Sequence, residues 1–241
     1  MLILASASPR RRELLTQAGF SFEVHPAHIS EDPNPNEDPI AYVVRLAREK
    51  AETVYNELIL KGTGFSPYIE PTKEHGALAP EGNSSEALKT PASVPRASAA
   101  LQVLGADTTV TLDNQILGKP ENPADAARML RLLSGRTHRV ITGIAIVTAT
   151  RTEVAAEVTA VTFLTLSKKE IEEYIATGEP MDKAGAYAIQ GRAARWIPRI
   201  VGDYFNVVGL PLALVSTLLE SLSPPARNST PQPNSESKSK R

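Results

Sequence analysis

The chain of 241 residues contains no cysteine. That absence excludes a disulfide framework, a thiol nucleophile and a thiolate-bound metal. Its four histidines are scattered and show no HExxH-type spacing, so a bound metal must find oxygen ligands. Net charge is nearly absent too. The 26 basic residues against 27 acidic ones leave −1 at pH 7, and no overall field draws the protein to nucleic acid or to an anionic membrane. Any anion site must be local. Apolar runs are short: none approaches the ~18 residues of a membrane-spanning helix. The apolar start, residues 1 to 7, is too short for the core of a signal peptide and has no basic segment ahead of it. It runs straight into Pro9-Arg10-Arg11-Arg12, so a cytoplasmic protein is expected.

With 41% apolar and 22% charged residues, the chain can bury the core of one large domain or two small lobes. Two segments cannot contribute to it. Residues 62 to 99 hold 5 Pro, 4 Gly and 5 Ser among 38 residues, and residues 223 to 241 hold 4 Pro and 5 Ser among 19. Such compositions do not offset the entropy of ordering, so the first is expected to be an inserted loop and the second a poorly ordered tail on a domain spanning 1 to 222.

Strand and helix signals alternate along the rest. Leu2 to Ala5 predicts a buried strand, Ser8-Pro9 an N-cap and first turn, and Arg10 to Ala18 a helix stopped by Gly19. Phe20, Phe22 and Val24 alternate as a strand does. Asp38-Pro39 opens a long helix with Ile40, Val43, Val44, Leu46, Ala47, Ala51 and Val54 on its apolar side. Val103 to Leu112 predicts a strand, turned by Asp113-Asn114 into a hairpin with Gln115 to Leu117. Asn122-Pro123 starts a helix that Gly135 ends, and β-rich runs follow at Val140 to Thr148 and Val154 to Leu166. Ser167 and Glu170 form a capping-box pattern ahead of another helix. Tyr187 to Gln190 and Trp196 to Tyr204 suggest a last strand pair, and Pro211 to Leu222 a closing helix. The sum is an α/β or α+β domain with a mixed sheet.

Several groupings carry chemistry. Ala5-Ser6-Ala7-Ser8-Pro9-Arg10-Arg11-Arg12 makes a strand, a small-residue turn and a helix start, which aims free backbone N–H groups at one point and suits a phosphate. Three arginines in a first turn oppose the helix dipole, at about 0.3–1 kcal/mol each, unless an anion reverses the sign. In Gly105-Ala106-Asp107-Thr108, a strand should carry Asp107 to the edge or end of the sheet, as a metal ligand or as a base that activates water. Glu31 and Asp32 are a further acidic candidate, and Lys50 and Lys119 can neutralise phosphate oxygens. His138, in a turn after a helix end, fits a structural or surface role better than that of a general base. The amide of Gln190 can donate and accept at once, matching the O4 and N3–H of uracil or thymine.

The order Ser6-Ala7-Ser8-Pro9-Arg10-Arg11, Arg45-Leu46-Ala47 with Lys50-Ala51, Gly105-Ala106-Asp107-Thr108, Gly118-Lys119-Pro120, Leu133-Ser134-Gly135 with His138, Asp182-Lys183-Ala184-Gly185-Ala186-Tyr187 through Gln190-Gly191, and Asn206-Val207-Val208-Gly209-Leu210-Pro211 closely resembles the Maf family. The resemblance covers residues 1 to 222 apart from the insertion. It implies a Maf/ITPase-like fold, a mixed central sheet flanked by helices with a cleft between two lobes. It also implies a divalent cation, Mg²⁺ or Mn²⁺, and hydrolysis between the α and β phosphates of a nucleoside triphosphate. Asp107 falls on the family's proton acceptor, and Asp107 and Glu31 on its metal-handling positions. Ser8, Arg11, Lys50 and Lys119 fall on phosphate-binding positions, while Arg10, Thr108 and Gln190 match those tied to base choice. The Asp-Lys-Ala-Gly-Ala-Tyr…Gln form is that of the branch acting on dTTP and UTP. The expected partner is thus a small nucleotide rather than nucleic acid or membrane, and a homodimer is compatible with this reading. A link between Maf proteins and septum formation makes a nucleotide-binding regulator without turnover the alternative, and a purine or modified nucleotide a third reading. One departure is Asp203, where a small serine is expected; that carboxylate is expected to face solvent rather than join a metal shell.

Overall fold

A computed structural model describes residues 1–60 and 101–222. The insertion at 62 to 99 and the tail at 223 to 241 lie outside the described residues. Seven strands form one mixed sheet: β1 (Leu2–Leu4), β2 (Phe22–Val24), β3 (Gln102–Leu112), β4 (Gln115–Leu117), β5 (Thr137–Val147), β6 (Thr152–Thr162) and β7 (Arg199–Val201). Their order is β2-β1-β3-β5-β6-β7, with β4 folded back on the far end of β3. β1 runs parallel to both β2 and β3, and every other pairing is antiparallel. β1 is therefore covered on both faces, and its three residues, Leu-Ile-Leu, are all buried.

Among the described residues, six helices flank the sheet. α1 (Pro9–Gln17) carries the chain from β1 back to β2, as parallel neighbours require. α2 (Pro39–Leu60) crosses one face and packs Ala47, Ala51 and Val54 onto Val103, Ala145 and Val147. The opposite face is covered by α1, by the short α5 (Tyr204–Val208) and by α6 (Leu212–Leu222), around Leu4, Leu104, Ile144 and Ile146. α3 (Pro123–Leu133) and α4 (Lys168–Ile175) build a separate apolar cluster with Phe163, Tyr187 and Trp196. The Ser167–Glu170 capping box forms as its spacing predicts. Asp113 and Asn114 both take positive φ in the β3–β4 turn.

Two glycines bring α2 onto the sheet. A Cβ at Gly105 would lie 2.0 Å from the Ala47 carbonyl oxygen, and one at Gly143 would lie 2.3 Å from that of Val43. Only bare backbone allows so close an approach. Gly143 is the cross-strand partner of Asp107, so the helix comes down at the level of that carboxylate.

Two expectations need correction. Ile40 has the phase of the apolar side of α2 but is 40% exposed, because it lies in the first turn, ahead of the contact at Val43; Tyr42 is the buried ring there. Residues 187 to 190 form no strand. Gly185 and Ala186 turn with positive φ, and the Ala188 N–H donates to the Tyr174 hydroxyl rather than to a strand neighbour. Trp196 closes a 3-10 turn and Tyr204 begins α5, so only Arg199–Val201 of the expected pair joins the sheet, against β6.

Candidate active site

A cleft of about 670 Å³ opens where β1 stops. β1 pairs with β3 only as far as Leu104, and β4 rejoins β3 at Val110, so the flank between is bare. Asp107 sits in that gap. It lies mid-strand, not at the sheet's end, and its flank is an edge only locally. One wall comes from the loop before α1, the loop at 31 to 33 and α2; the other comes from residues 182 to 190, backed by the α3–α4 cluster. The cleft thus runs between two apolar lobes.

Lys50 reaches Asp107 because α2 lies so close. Its Nζ donates to Asp107 Oδ1 at 2.7 Å and pairs with Glu31 Oε1 at 2.5 Å. One buried ammonium therefore ties two carboxylates together. Glu31 is presented by α2 as well. The Tyr42 hydroxyl donates to the Glu31 carbonyl at 2.8 Å, and Arg45, clamped bidentately by Glu37, donates to the Asp32 carbonyl at 3.2 Å. Burial pushes the Asp107 carboxyl above the usual range, against the pull of Lys50 and Arg11. At Glu31, burial also favours the neutral form, but the hydrogen bond and charge of Lys50, with Lys119 and Arg11 further off, hold it below the usual range.

The N-terminus of α1 faces the same space. Ser8 caps it, its hydroxyl accepting the Arg11 N–H at 3.5 Å. The three arginines separate. Arg10 lines the cleft, Arg12 is exposed, and Arg11 is buried. Arg11 donates to the carbonyls of Ala106 and Gly209, both at 2.8 Å, to Ser6 Oγ at 3.2 Å and to Thr108 Oγ1 at 3.0 Å. Four of its five N–H donors are thereby engaged. The Thr108 hydroxyl also meets Thr142 at 2.9 Å, so it is bound within the sheet face opposite Asp107. Lys119 is largely exposed, 4.0 Å from Glu31 Oε2. Gln190 is exposed on the opposite wall, which also carries the Asp182–Lys183 ion pair. The structure therefore gathers Ser8, Arg10, Arg11, Glu31, Lys50, Asp107, Thr108, Lys119 and Gln190 around one cleft.

His138 is buried, and its Nε2 lies 2.8 Å from the Tyr187 hydroxyl, facing Phe163 and Tyr187 edge-on. It belongs to the core. Asp203 caps α5 by accepting the Phe205 N–H at 2.8 Å and does not line the cleft. Sequence reasoning passed over Tyr42, whose signal was only an aromatic among apolar helix positions. It also left Asn206 without a role. Wholly buried, Asn206 donates to the Val140 carbonyl and to Thr159 Oγ1, which anchors α5 and so the Gly209 carbonyl that Arg11 binds.

Among the described residues, no three Asp, Glu or His side chains converge as a metal cage. Two carboxylates in one cleft with the N-terminus of α1, Arg10 and Lys119 are nevertheless a donor set that Mg²⁺ accepts, since it takes one or two carboxylates and completes its shell with phosphate oxygens and water. Asp107 and Glu31 fit that requirement.

Residues 1–222 match the family model described as Maf-like protein. The chain belongs to the Maf family. A relative from Koribacter versatilis, named dTTP/UTP pyrophosphatase, is 45% identical over 218 residues, covering 90% of this chain and 92% of its own length. Proteins of the same name from Moorella thermoacetica and Thermococcus onnurineus are 46% and 43% identical over 220 residues each. They cover 90% and 91% of this Maf chain and 93% and 97% of their own lengths.

Proposed function

We propose that this Maf protein is a nucleoside triphosphate pyrophosphatase that converts dTTP and UTP, with water, into the nucleoside monophosphate and pyrophosphate. The observation that carries the reading is the Lys50 ammonium holding Asp107 and Glu31 together in the cleft onto which the α1 N-terminus opens. The relatives' names support the choice of substrate. A triphosphate in this cleft meets the N-terminal N–H groups of α1, Arg10 and Lys119, with Lys50 offsetting charge at the base. Asp107, whose proton affinity burial raises, takes a proton from the attacking water. As water's oxygen bonds to the α-phosphorus, the bond from that phosphorus to the bridging oxygen breaks, and pyrophosphate leaves with its electron pair. Mg²⁺ or Mn²⁺, held by Asp107 and Glu31, would neutralise charge on the phosphate oxygens and on the leaving group. Gln190, exposed on the far wall, offers an amide to O4 and N3–H of the pyrimidine. The reaction belongs in the cytoplasm, where free nucleoside triphosphates are used.

The test is to incubate the protein with Mg²⁺ or Mn²⁺ and a panel of canonical and modified triphosphates, and to identify the released phosphate. Pyrophosphate from dTTP and UTP is expected, and Asp107→Asn should cut turnover by roughly 10²–10⁴-fold while the protein stays folded. Release of orthophosphate, or a folded Asn variant with near-normal turnover, overturns the reading.

A further inference from the structure

Glu179 does not line the cleft, yet it grips the segment carrying Gln190 on both sides. Its Oε1 accepts the Arg192 N–H at 3.0 Å, two residues after Gln190. The same oxygen accepts the Tyr174 hydroxyl proton at 2.8 Å, and that hydroxyl in turn accepts the Ala188 N–H at 3.1 Å, two residues before Gln190. The carboxylate also presses on the backbone itself: a Cβ at Gly191 would lie 1.9 Å from Glu179 Oε1. Among the described residues, 187 to 190 have no strand neighbour to hold them, so these bonds stand in for a sheet ladder.

From this geometry, and resting on the reading of Gln190 as the group that meets the base, we propose that Glu179 is a positioning residue for base choice. It fixes the Gln190 amide by accepting two hydrogen bonds on one oxygen. Its charge is incidental. A glutamine amide oxygen can accept the same two bonds, whereas alanine frees both ends of the segment.

The experiment compares Glu179→Ala, Glu179→Gln and Gly191→Ala with the wild-type protein. It reads the ratio of kcat/KM for dTTP over CTP and the hydrogen exchange of the Ala188 and Arg192 amides. Glu179→Ala should lower the ratio by roughly tenfold to a hundredfold, the effect of an ångström-scale misplacement, and speed exchange at both amides. Glu179→Gln should keep both readouts at wild-type values. Gly191→Ala should reproduce the defect by displacing the carboxylate, and should add little on top of Glu179→Ala, since the atom it strikes is then gone. An unchanged ratio in Glu179→Ala overturns the proposal, as does a Gln variant as impaired as Ala. If Glu179→Ala does not fold, Gly191→Ala carries the same test alone. A wild-type protein without turnover sinks the pyrophosphatase reading only. The ratio is then measured as equilibrium affinities for nonhydrolysable dTTP and CTP analogues, with the same outcomes deciding.

Discussion

Replacing Lys50 with methionine removes the cation between Asp107 and Glu31 while keeping the length of the side chain. Glu31 is about half exposed and can stay hydrated, so its loss is small. Asp107 is about a tenth exposed and has no such escape. A buried carboxylate deprived of its partner costs about 3–5 kcal/mol if it stays charged. It can take up a proton instead, and that alternative caps the cost. An ordinary aspartate ionises near 3.8, roughly three pH units below neutrality, and each unit is worth about 1.4 kcal/mol. The variant should therefore lose at most about 4 kcal/mol at pH 7, a drop in Tm on the order of 10 °C.

The same reasoning sets the pH dependence. A carboxyl whose folded pKa is raised contributes stability that is complete below its unfolded pKa and lost as pH rises through the folded value. Burial already raises Asp107, and removing Lys50 raises it further, so the gap between wild type and Lys50→Met should widen from pH 4 upward. The gap should be under about 2 kcal/mol at pH 5 and approach its cap at pH 7. Thermal unfolding without divalent metal measures this. Adding Asp107→Asn to Lys50→Met should recover most of the loss at pH 7 and abolish the slope. A pH-independent gap, or a double variant no more stable than Lys50→Met, refutes the argument that an unpaired Asp107 is the cause.

Gly143→Ala drives a Cβ toward the Val43 carbonyl, a backbone atom that cannot swing aside, so α2 must lift at Val43 and Val44, beside the Tyr42 that holds the Glu31 carbonyl and about two turns before Lys50. We expect about 1–3 kcal/mol of destabilisation together with loss of turnover; a thermal melt and a turnover assay that both match wild type would contradict the close approach. His138 is held neutral by burial, its pKa lowered to about 4. A base with a depressed folded pKa gives stability that is present above its unfolded value near 6.5 and lost as pH falls toward 4, here up to about 3 kcal/mol. Urea unfolding across that window should show this acid limb in wild type and flatten it in His138→Gln; equal slopes would mean that His138 titrates normally.

What could be read from the sequence was local. The Ser8 and Asn122 caps, the Ser167–Glu170 box and the Asp113-Asn114 turn each depend on residues within four positions of one another, and all formed as expected. The segment at 187 to 190 failed the same kind of reasoning. Tyr187 and Ile189 alternate because both pack on the α3–α4 cluster, not because the backbone has a strand beside it. The residues by themselves gave the site as separate blocks, and only the resemblance to the Maf family implied that they meet in one cleft. Lys50 and Asp107 are 57 positions apart, and nothing local says that Gly105 and Gly143 let the helix approach closely enough for them to touch.

The arginines before the cleft show how one topological event settles both the fold and the chemistry. Three cations in a first turn should repel the helix dipole and one another. β1 ends at Leu4, and along β3 the groups facing it are those of Gln102, Leu104 and then Ala106. The first two are paired, whereas the Ala106 carbonyl has lost its strand neighbour. Arg11 donates to that carbonyl and, across the chain, to Gly209, so its burial satisfies backbone that would otherwise be orphaned. The gap in the sheet thus consumes one arginine on the α1 face and leaves the buried Asp107 at the base of the cleft on the α2 face. The protein itself engages four of the five Arg11 donors, and Arg11 lies close enough to favour the ionised form of Asp107; in the reaction we propose, the phosphates meet Arg10 and Lys119, with Lys50 at the carboxylates.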